Sequence, residues 1–404
     1  MTLRTIVGLA ALLVLGACAD SEAPPRPTDA AAPADRAVGM LEAGAGAGSA
    51  QPRLRPTPDG GAVLSWLEPD GDGHVLRYAS WDGTGWGPAR TADRGDDWFV
   101  NWADTPGVVA LSDGRLLAHA LVRQPAGGHA YDVRARLSDG TSWSEPVTPH
   151  TDGAAAEHGF VSAVPMGDRA GLVWLDGREQ VGSGHHGGDM TLRYATLGAG
   201  GDLQDEAVLD ARTCDCCPTA AVRTDRGLVV AYRDRSAGEV RDISVVRLVD
   251  GAWTAPQRVH ADGWEINACP VNGPALAAHG DRVALAWYTG ADSARVALAL
   301  SDDGGATFGA PITIDARAPV GRVAVAMRPS GETVVGWLAL DDSRAVFRTR
   351  SLAPDGALGE PLDIADIPNG RETGVPQLVA AGDRVLAAWT DPEAGRVRTA
   401  SVTP

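Results

Sequence analysis

Gly280-Asp281-Arg282-Val283-Ala284-Leu285-Ala286-Trp287 reads as a tight turn and an apolar strand ending in an aromatic ring. Val296-Ala297-Leu298-Ala299 follows as an alternating strand, and Ser301-Asp302-Asp303-Gly304-Gly305 turns the chain again. The same arrangement recurs along the sequence, with the ring position taken by Trp66, His119, Trp174, Tyr232, Trp287, Trp337 and Trp389 at steps of 53, 55, 58, 55, 50 and 52 residues. Four antiparallel strands in about 50 residues is the length of a β-propeller blade, and such units bury their faces only against one another. An all-β, seven-bladed propeller of four-stranded blades is therefore expected over residues 37–404, with a six-bladed ring as the alternative. The seventh copy supplies three strands before Pro404, which leaves an open edge. Ala37-Val38-Gly39-Met40-Leu41-Glu42-Ala43 has the pattern of the fourth strands Ile312–Ala316 and Ala207–Ala211, and is expected to close the ring.

Composition agrees with this reading. The 404 residues include 50 Gly and 27 Pro, about one turn former in five, which disfavours a mainly helical chain. The net charge is −17 and no Lys is present, so nucleic acid is not an expected partner. Residues 1–17, with Arg4 before an apolar run from Ile6 to Leu15, read as an export signal. The run ends in Leu15-Gly16-Ala17-Cys18, which resembles the lipobox of bacterial lipoproteins. That resemblance implies lipidation of Cys18 and a domain anchored outside the cytoplasm in the cell envelope, and a monomer is expected. Residues 18–36, rich in Ala, Pro and Asp, read as a flexible tether.

Ser301-Asp302-Asp303-Gly304-Gly305-Ala306-Thr307-Phe308 matches the Asp-box pattern and resembles the sialidase, or bacterial-neuraminidase-repeat, superfamily of propellers. Ser80 to Trp86 and Ser138 to Trp143 are shorter versions of this turn. Arg212-Thr213-Cys214-Asp215-Cys216-Cys217-Pro218-Thr219, Tyr232-Arg233-Asp234-Arg235-Ser236, Val240-Arg241-Asp242-Ile243 and Cys269-Pro270-Val271-Asn272-Gly273-Pro274 are similar to segments of exported bacterial exo-alpha-sialidase-like proteins. Sialidases clamp a carboxylate with three Arg and use an Asp acid/base and a Tyr–Glu nucleophile. The resemblance makes Arg233, Arg235 and Arg322 the candidate clamps. The sequence departs from the family in lacking its Arg-Ile-Pro opening, since Pro52-Arg53-Leu54-Arg55-Pro56 stands there, and in having no Tyr after Tyr288.

A propeller places the loops between second and third strands, and between successive blades, on one upper face. Those loops carry the unusual residues. Asp104, Asp176, Asp234, Asp242 and Glu265 join the three Arg as candidate catalytic groups, because glycosidic chemistry needs two suitably spaced carboxylates. Trp98, Asn101, His158, Arg178, Arg241, Asn272 and Glu372 are candidate ligand-binding groups. Cys214, Cys216, Cys217 and Cys269 form an even set, expected to pair as two disulfides with Cys214 bridged to Cys269, or to hold copper or zinc near His158, His185 or His186. No cofactor is required by the sequence. The expected function is binding, and hydrolysis where the carboxylates permit it, of a glycan or small acidic ligand; a non-catalytic envelope module and a thiol or metal site are the alternatives.

Overall fold

Alternating side chains send the two faces of the central strands into two different apolar gaps, as with Leu172 and Trp174 on one side and Val173 and Leu175 on the other, and the computed structural model has seven antiparallel sheets. It describes residues 36–181 and 188–403. The expected leader, Cys18, nearly all of the tether, and His185 and His186 lie outside the described residues. Blade 1 comprises Ala50–Pro56, Ala62–Asp70, Gly73–Trp81 and Arg90–Gly95. Blade 3 comprises His158–Met166, Arg169–Asp176, Met190–Leu197 and Leu203–Thr213. Blade 5 (Ala275–His279, Arg282–Thr289, Arg295–Ser301, Ile312–Asp315) and blade 6 (Pro319–Met327, Thr333–Asp341, Arg344–Leu352, Leu362–Pro368) repeat the pattern. Blade 7 takes Gln377–Ala381, Arg384–Asp391 and Arg396–Thr403 from the C-terminus and Ala37–Leu41 from the front of the chain, in a register that runs from Ala37 opposite Thr403 to Leu41 opposite Thr399. The expected ring closure is present.

Two blades depart from four regular strands. Blade 2 has Gly107–Ala110, Leu116–Arg123 and Tyr131–Ser138, with the outer strand reduced to an Ala135–Val147 bridge. Blade 4 has Ala220–Thr224, Gly227–Arg233 and Ile243–Val249, with its outer strand broken into Ala252–Trp253 and Gln257–Arg258. Pro146 and Pro256 lie beside these outer segments, where a missing N–H interrupts a ladder. The only helical segment among the described residues is the short turn Arg178–Gln180, and no helix is long and apolar enough to cross a membrane.

Seven apolar clusters fill the seven gaps between successive blades, including the gap from blade 7 back to blade 1. The inner strands surround an axial channel whose lower part, about 470 Å³, is lined by residues of all seven blades, among them Leu54, Val109, Ala163, Ala221, Leu276, Val325 and Leu378. All seven predicted ring residues are buried in second strands. Polar atoms of three of them tie one blade to the one before it. Tyr232 donates to Asp210 at 2.5 Å, Trp287 to Asp262 at 2.7 Å and Trp337 to Asp315 at 2.8 Å, each acceptor coming from the preceding repeat. Hydrogen bonds of this charge-assisted kind contribute about 1.5–3 kcal/mol each. The Asp box is a lower-face turn in which Asp303 accepts from Thr307 N and Oγ1 while Ser301 Oγ accepts from Gly305 N. Gly304 and Gly305 stand at φ +69° and +76°, which a side chain would oppose.

Candidate functional site

Upper-face loops surround a cavity of about 960 Å³ lined by Asn101, Trp102, His129, Glu157, Asp215, Cys216, Cys269 and Arg371, with Ala and Gly between them. Glu157 brings a carboxyl group to its wall. Tyr131, at the upper end of the third strand of blade 2, places its hydroxyl 2.8 Å from Glu157 Oε1 and 2.7 Å from Asp104 Oδ2. Asp104 is 1% exposed and also accepts from Phe160 N at 2.7 Å. Of the three groups only Glu157 reaches the cavity.

The local backbone is shaped for this contact. Phe160 stands at φ +52°, an unfavourable conformation for a non-glycine residue, and that turn aims its N–H at Asp104. Gly159 has no room for a side chain, since a Cβ there would lie 2.0 Å from Asp104 Oδ2 and 2.7 Å from the Tyr131 hydroxyl. Phe99 stacks on Tyr131 with ring centroids 4.1 Å apart and fixes the phenol from behind.

One phenolic proton cannot satisfy two ionised carboxylates, so the trio retains an additional proton. Burial pushes Glu157 up to about 8, against the pull of the Tyr131 hydroxyl and reinforced by Asp104, Asp215 and Cys269. Burial also raises Asp104, to about 6, opposed by Tyr131, Phe160 N–H and nearby Arg53. At neutral pH the proton therefore resides on Glu157, facing the cavity, while Tyr131 donates to ionised Asp104.

Below the cavity, and sharing Val271 with it, the channel narrows to about 110 Å³ lined by Arg53, Arg55, Arg322 and Gln377. Arg53 donates to Thr105 O at 2.8 Å and Arg55 to Leu54 O at 3.0 Å. Among the described residues none of the three arginines has an acidic side chain at ion-pair distance, and burial lowers Arg53 and Arg322 to about 10 and Arg55 to about 9. Arg322 also donates to Gly370 O, Thr373 Oγ1 and Gly374 O and lies over Trp102 at 4.4 Å. The floor of the mouth is thus cationic and deficient in counter-charge.

Several expected site residues have other duties. Arg233 is 1% exposed and each guanidinium nitrogen already donates to a carbonyl, of Asn272, Arg241 and Tyr288, so it ties three loops and has no free face for a ligand carboxylate. Arg235 is held by Glu239 and Asp215. Asp234 accepts from Arg235 N and Ser244 Oγ, and Asp242 from the backbone of Gly263 and Trp264. Asp176 is fully buried; its burial is outweighed by Arg178 and Trp174, which hold it down to about 2. His158 is fully buried too, stacked on His150 at 3.8 Å between Asp132 and Asp152, and faces away from the mouth. Trp98 is buried between blades 1 and 2, and Asn101 lines the cavity while capping Ala103 N. Asn272 joins Arg322 N to Val320 O, Arg241 pairs with Glu239, and Glu265 and Glu372 are exposed outside the cavity wall. Asn101 and Arg322 are the expected residues brought to the mouth, with Cys216 and Cys269 in its wall and Asp104 buried behind Glu157 on the Tyr131 hydroxyl. Tyr131 and Glu157 were not expected from sequence. The available signal was a Tyr opening a third strand, next to upper loops that carry a carboxylate.

The thiols also depart from the expected pairing. Cys214 Sγ lies 2.6 Å from Cys217 Sγ, while Cys269 approaches Cys216, so Cys214 is not the partner of Cys269. The Cys214-to-Pro218 turn is compact enough to bring residues three apart together, and no S–S bond is present among the described residues.

No family model matches the sequence, and no curated protein does. Solved structures do. A polysaccharide lyase, ulvan lyase, bound to a GlcA(1-4)Rha3S unit is similar at a TM-score of 0.56 and 12% identity, covering 91% of this chain and 96% of that one. A protein of unknown function from Dyadobacter fermentans is similar at a TM-score of 0.51 and 14% identity, over 92% and 98% of the two chains. An intramolecular trans-sialidase from Ruminococcus gnavus gives a TM-score of 0.48 and 10% identity over 91% and 97%. At these identities the likeness is one of architecture, and the chain is a seven-bladed β-propeller.

Proposed function

We propose that this propeller binds an acidic glycan at its upper mouth and cleaves it with Glu157 as general acid. The observation that carries the reading is the Glu157 carboxyl, held on Tyr131 and Asp104 and opening on a cavity large enough for sugar rings. Arg53, Arg55 and Arg322 below it, without acidic partners, favour a ligand with a carboxylate or sulfate. The acidic sugar bound by the ulvan lyase of similar architecture is in keeping with that choice. In the cleavage, the glycosidic oxygen takes the Glu157 proton as its C–O bond breaks. Water adds to the sugar and returns a proton to the carboxylate, so that two hydroxylated fragments leave and the enzyme is restored. A clamp through Arg233 and Arg235 is not part of this proposal, for the reasons of geometry given above.

The test is a panel of uronate-, sialate- and sulfate-bearing oligosaccharides incubated with wild-type protein and with Glu157→Gln. Product is expected with wild type, at least roughly 100-fold less with the variant, and a falling rate as pH rises through about 8. Glycan binding without product in either protein would leave the non-catalytic module; no binding at all would remove both. We further propose, on the Leu15-to-Cys18 motif, that the domain is lipid-anchored and extracytoplasmic.

A further inference from the structure

We propose that Cys214, Cys216, Cys217 and Cys269 form one thiolate site for a thiophilic d10 cation, zinc(II) or copper(I), opening on the wall of the cavity. The sulfurs converge. Those of Cys214, Cys216 and Cys217 lie within 4.8 Å of one another, and Cys216 is also in contact with Cys269. Cys216 stands against all three other sulfurs, so the four form one cluster and not two isolated pairs. The Cys214–Cys217 approach of 2.6 Å opens to roughly 3.7 Å, the tetrahedral edge at an M–S distance of about 2.3 Å, when an ion enters.

The surroundings favour thiolates. Arg241 is 3% exposed and directs Nη1 at Cys214 Sγ, 3.4 Å away, while its Nε has no hydrogen-bond partner. Arg241 is paired with Glu239 through Nη2 at 2.8 Å and turns its other terminal nitrogen to sulfur, where a guanidinium N–H favours a ligated thiolate over a disulfide, which carries no charge. The backbone holds the loops in place. Cys214 N donates to Arg233 O at 3.0 Å, anchoring the first loop to blade 4. The second loop presses against it at Gly273, where a Cβ would lie 1.9 Å from Pro218 O. Access is from one side, since Cys214 and Cys217 are buried and Cys216 and Cys269 line the cavity. Each thiol that ligates releases its proton to solvent, and the cation keeps its oxidation state.

The full chain, purified in detergent under argon and stripped of metal, is titrated with zinc(II) against a chromophoric chelator, and separately with copper(I) against a copper(I) chelator. One equivalent of either cation taken up, with a thiolate-to-copper absorption band in the second arm, is the expected result. Cys216→Ser is expected to abolish stoichiometric uptake. Cys269→Ser alters the exposed sulfur, so a native circular-dichroism spectrum together with binding weakened at least roughly tenfold separates ligation from misfolding. Reduced protein that takes up neither cation overturns the proposal. So does protein isolated without reductant whose mass shows all four sulfurs oxidised and which contains no metal. Both results leave the glycan reading intact, because the readout is metal content and not turnover.

Discussion

Replacing Glu157 with Gln tests the proton inventory of the site without reference to any substrate. Gln has the shape of the protonated acid, and its amide N–H can donate to the Tyr131 oxygen 2.8 Å away, as the protonated carboxyl does while Tyr131 donates to Asp104. In the wild-type fold the carboxyl is raised from 4.5 to about 8. Such a group binds a proton more tightly folded than unfolded, so its contribution to stability is complete below pH 4.5 and is lost as pH rises to about 8. At about 1.4 kcal/mol per pH unit the full loss approaches 5 kcal/mol, with roughly 3 kcal/mol already gone by pH 7. The cavity side of the carboxyl meets water, and half of the full loss, about 2.5 kcal/mol at roughly pH 8–9, is the magnitude expected. Urea midpoints measured from about pH 4 to 9 should therefore coincide for the two proteins at the acid end and diverge upward, with Glu157→Gln the more stable at alkaline pH. The variant would gain stability as it loses activity, as expected where a site retains a group for chemistry at a structural cost. If its urea midpoints ran parallel to wild type across the whole range, Glu157 would not be held protonated and the acid assignment would fail.

Gly159→Ala should destabilise by about 1–3 kcal/mol in urea unfolding and lower activity together, because the added methyl group meets Asp104 and Tyr131. Asp262→Ala should cost about 1.5–3 kcal/mol in the same assay, since it leaves both the Trp287 indole N–H and Arg295 without their acceptor; an unchanged midpoint would show that the tie between blades is dispensable. Removal of residues 37–41 from the chain should expose the Arg396–Thr403 edge and give aggregates by light scattering. Cys18→Ser should move the protein from the membrane to the soluble fraction on centrifugation, and retention at the membrane would count against lipid anchoring.

The ring was legible because its determinants are local. Turn residues, period-two alternation and an aromatic at the end of most second strands are written within windows of about 50 residues, and Ala37–Leu41 carries the same pattern as the outer strands it joins. The site was not, because it depends on where side chains point at strand ends. Tyr131 and Glu157 are 26 positions apart and meet at an isolated backbone bridge outside the regular strand pairings, while Asp104 is held by the N–H of Phe160 at positive φ, neither of which any residue type announces. Arginine was the other obstacle. Arg233 and Arg53 are the same side chain in sequence, yet one is fully occupied by carbonyls and the other borders an open channel. Only packing distinguishes a tie from a binding group.

The N-terminal strand imposes an order on folding. Thr399 Oγ1 donates to Leu41 O across 358 positions, so the strand Ala37–Leu41 finds its partner only after all seven repeats have been synthesised. Long loop closure of this kind slows assembly. Until then the sheet between Gln377 and Thr403 waits with a bare flank, and the nascent chain must be shielded from pairing with its neighbours. Completion of the circle is consequently a late event, which waits on the pairing of Ala37–Leu41 with Arg396–Thr403.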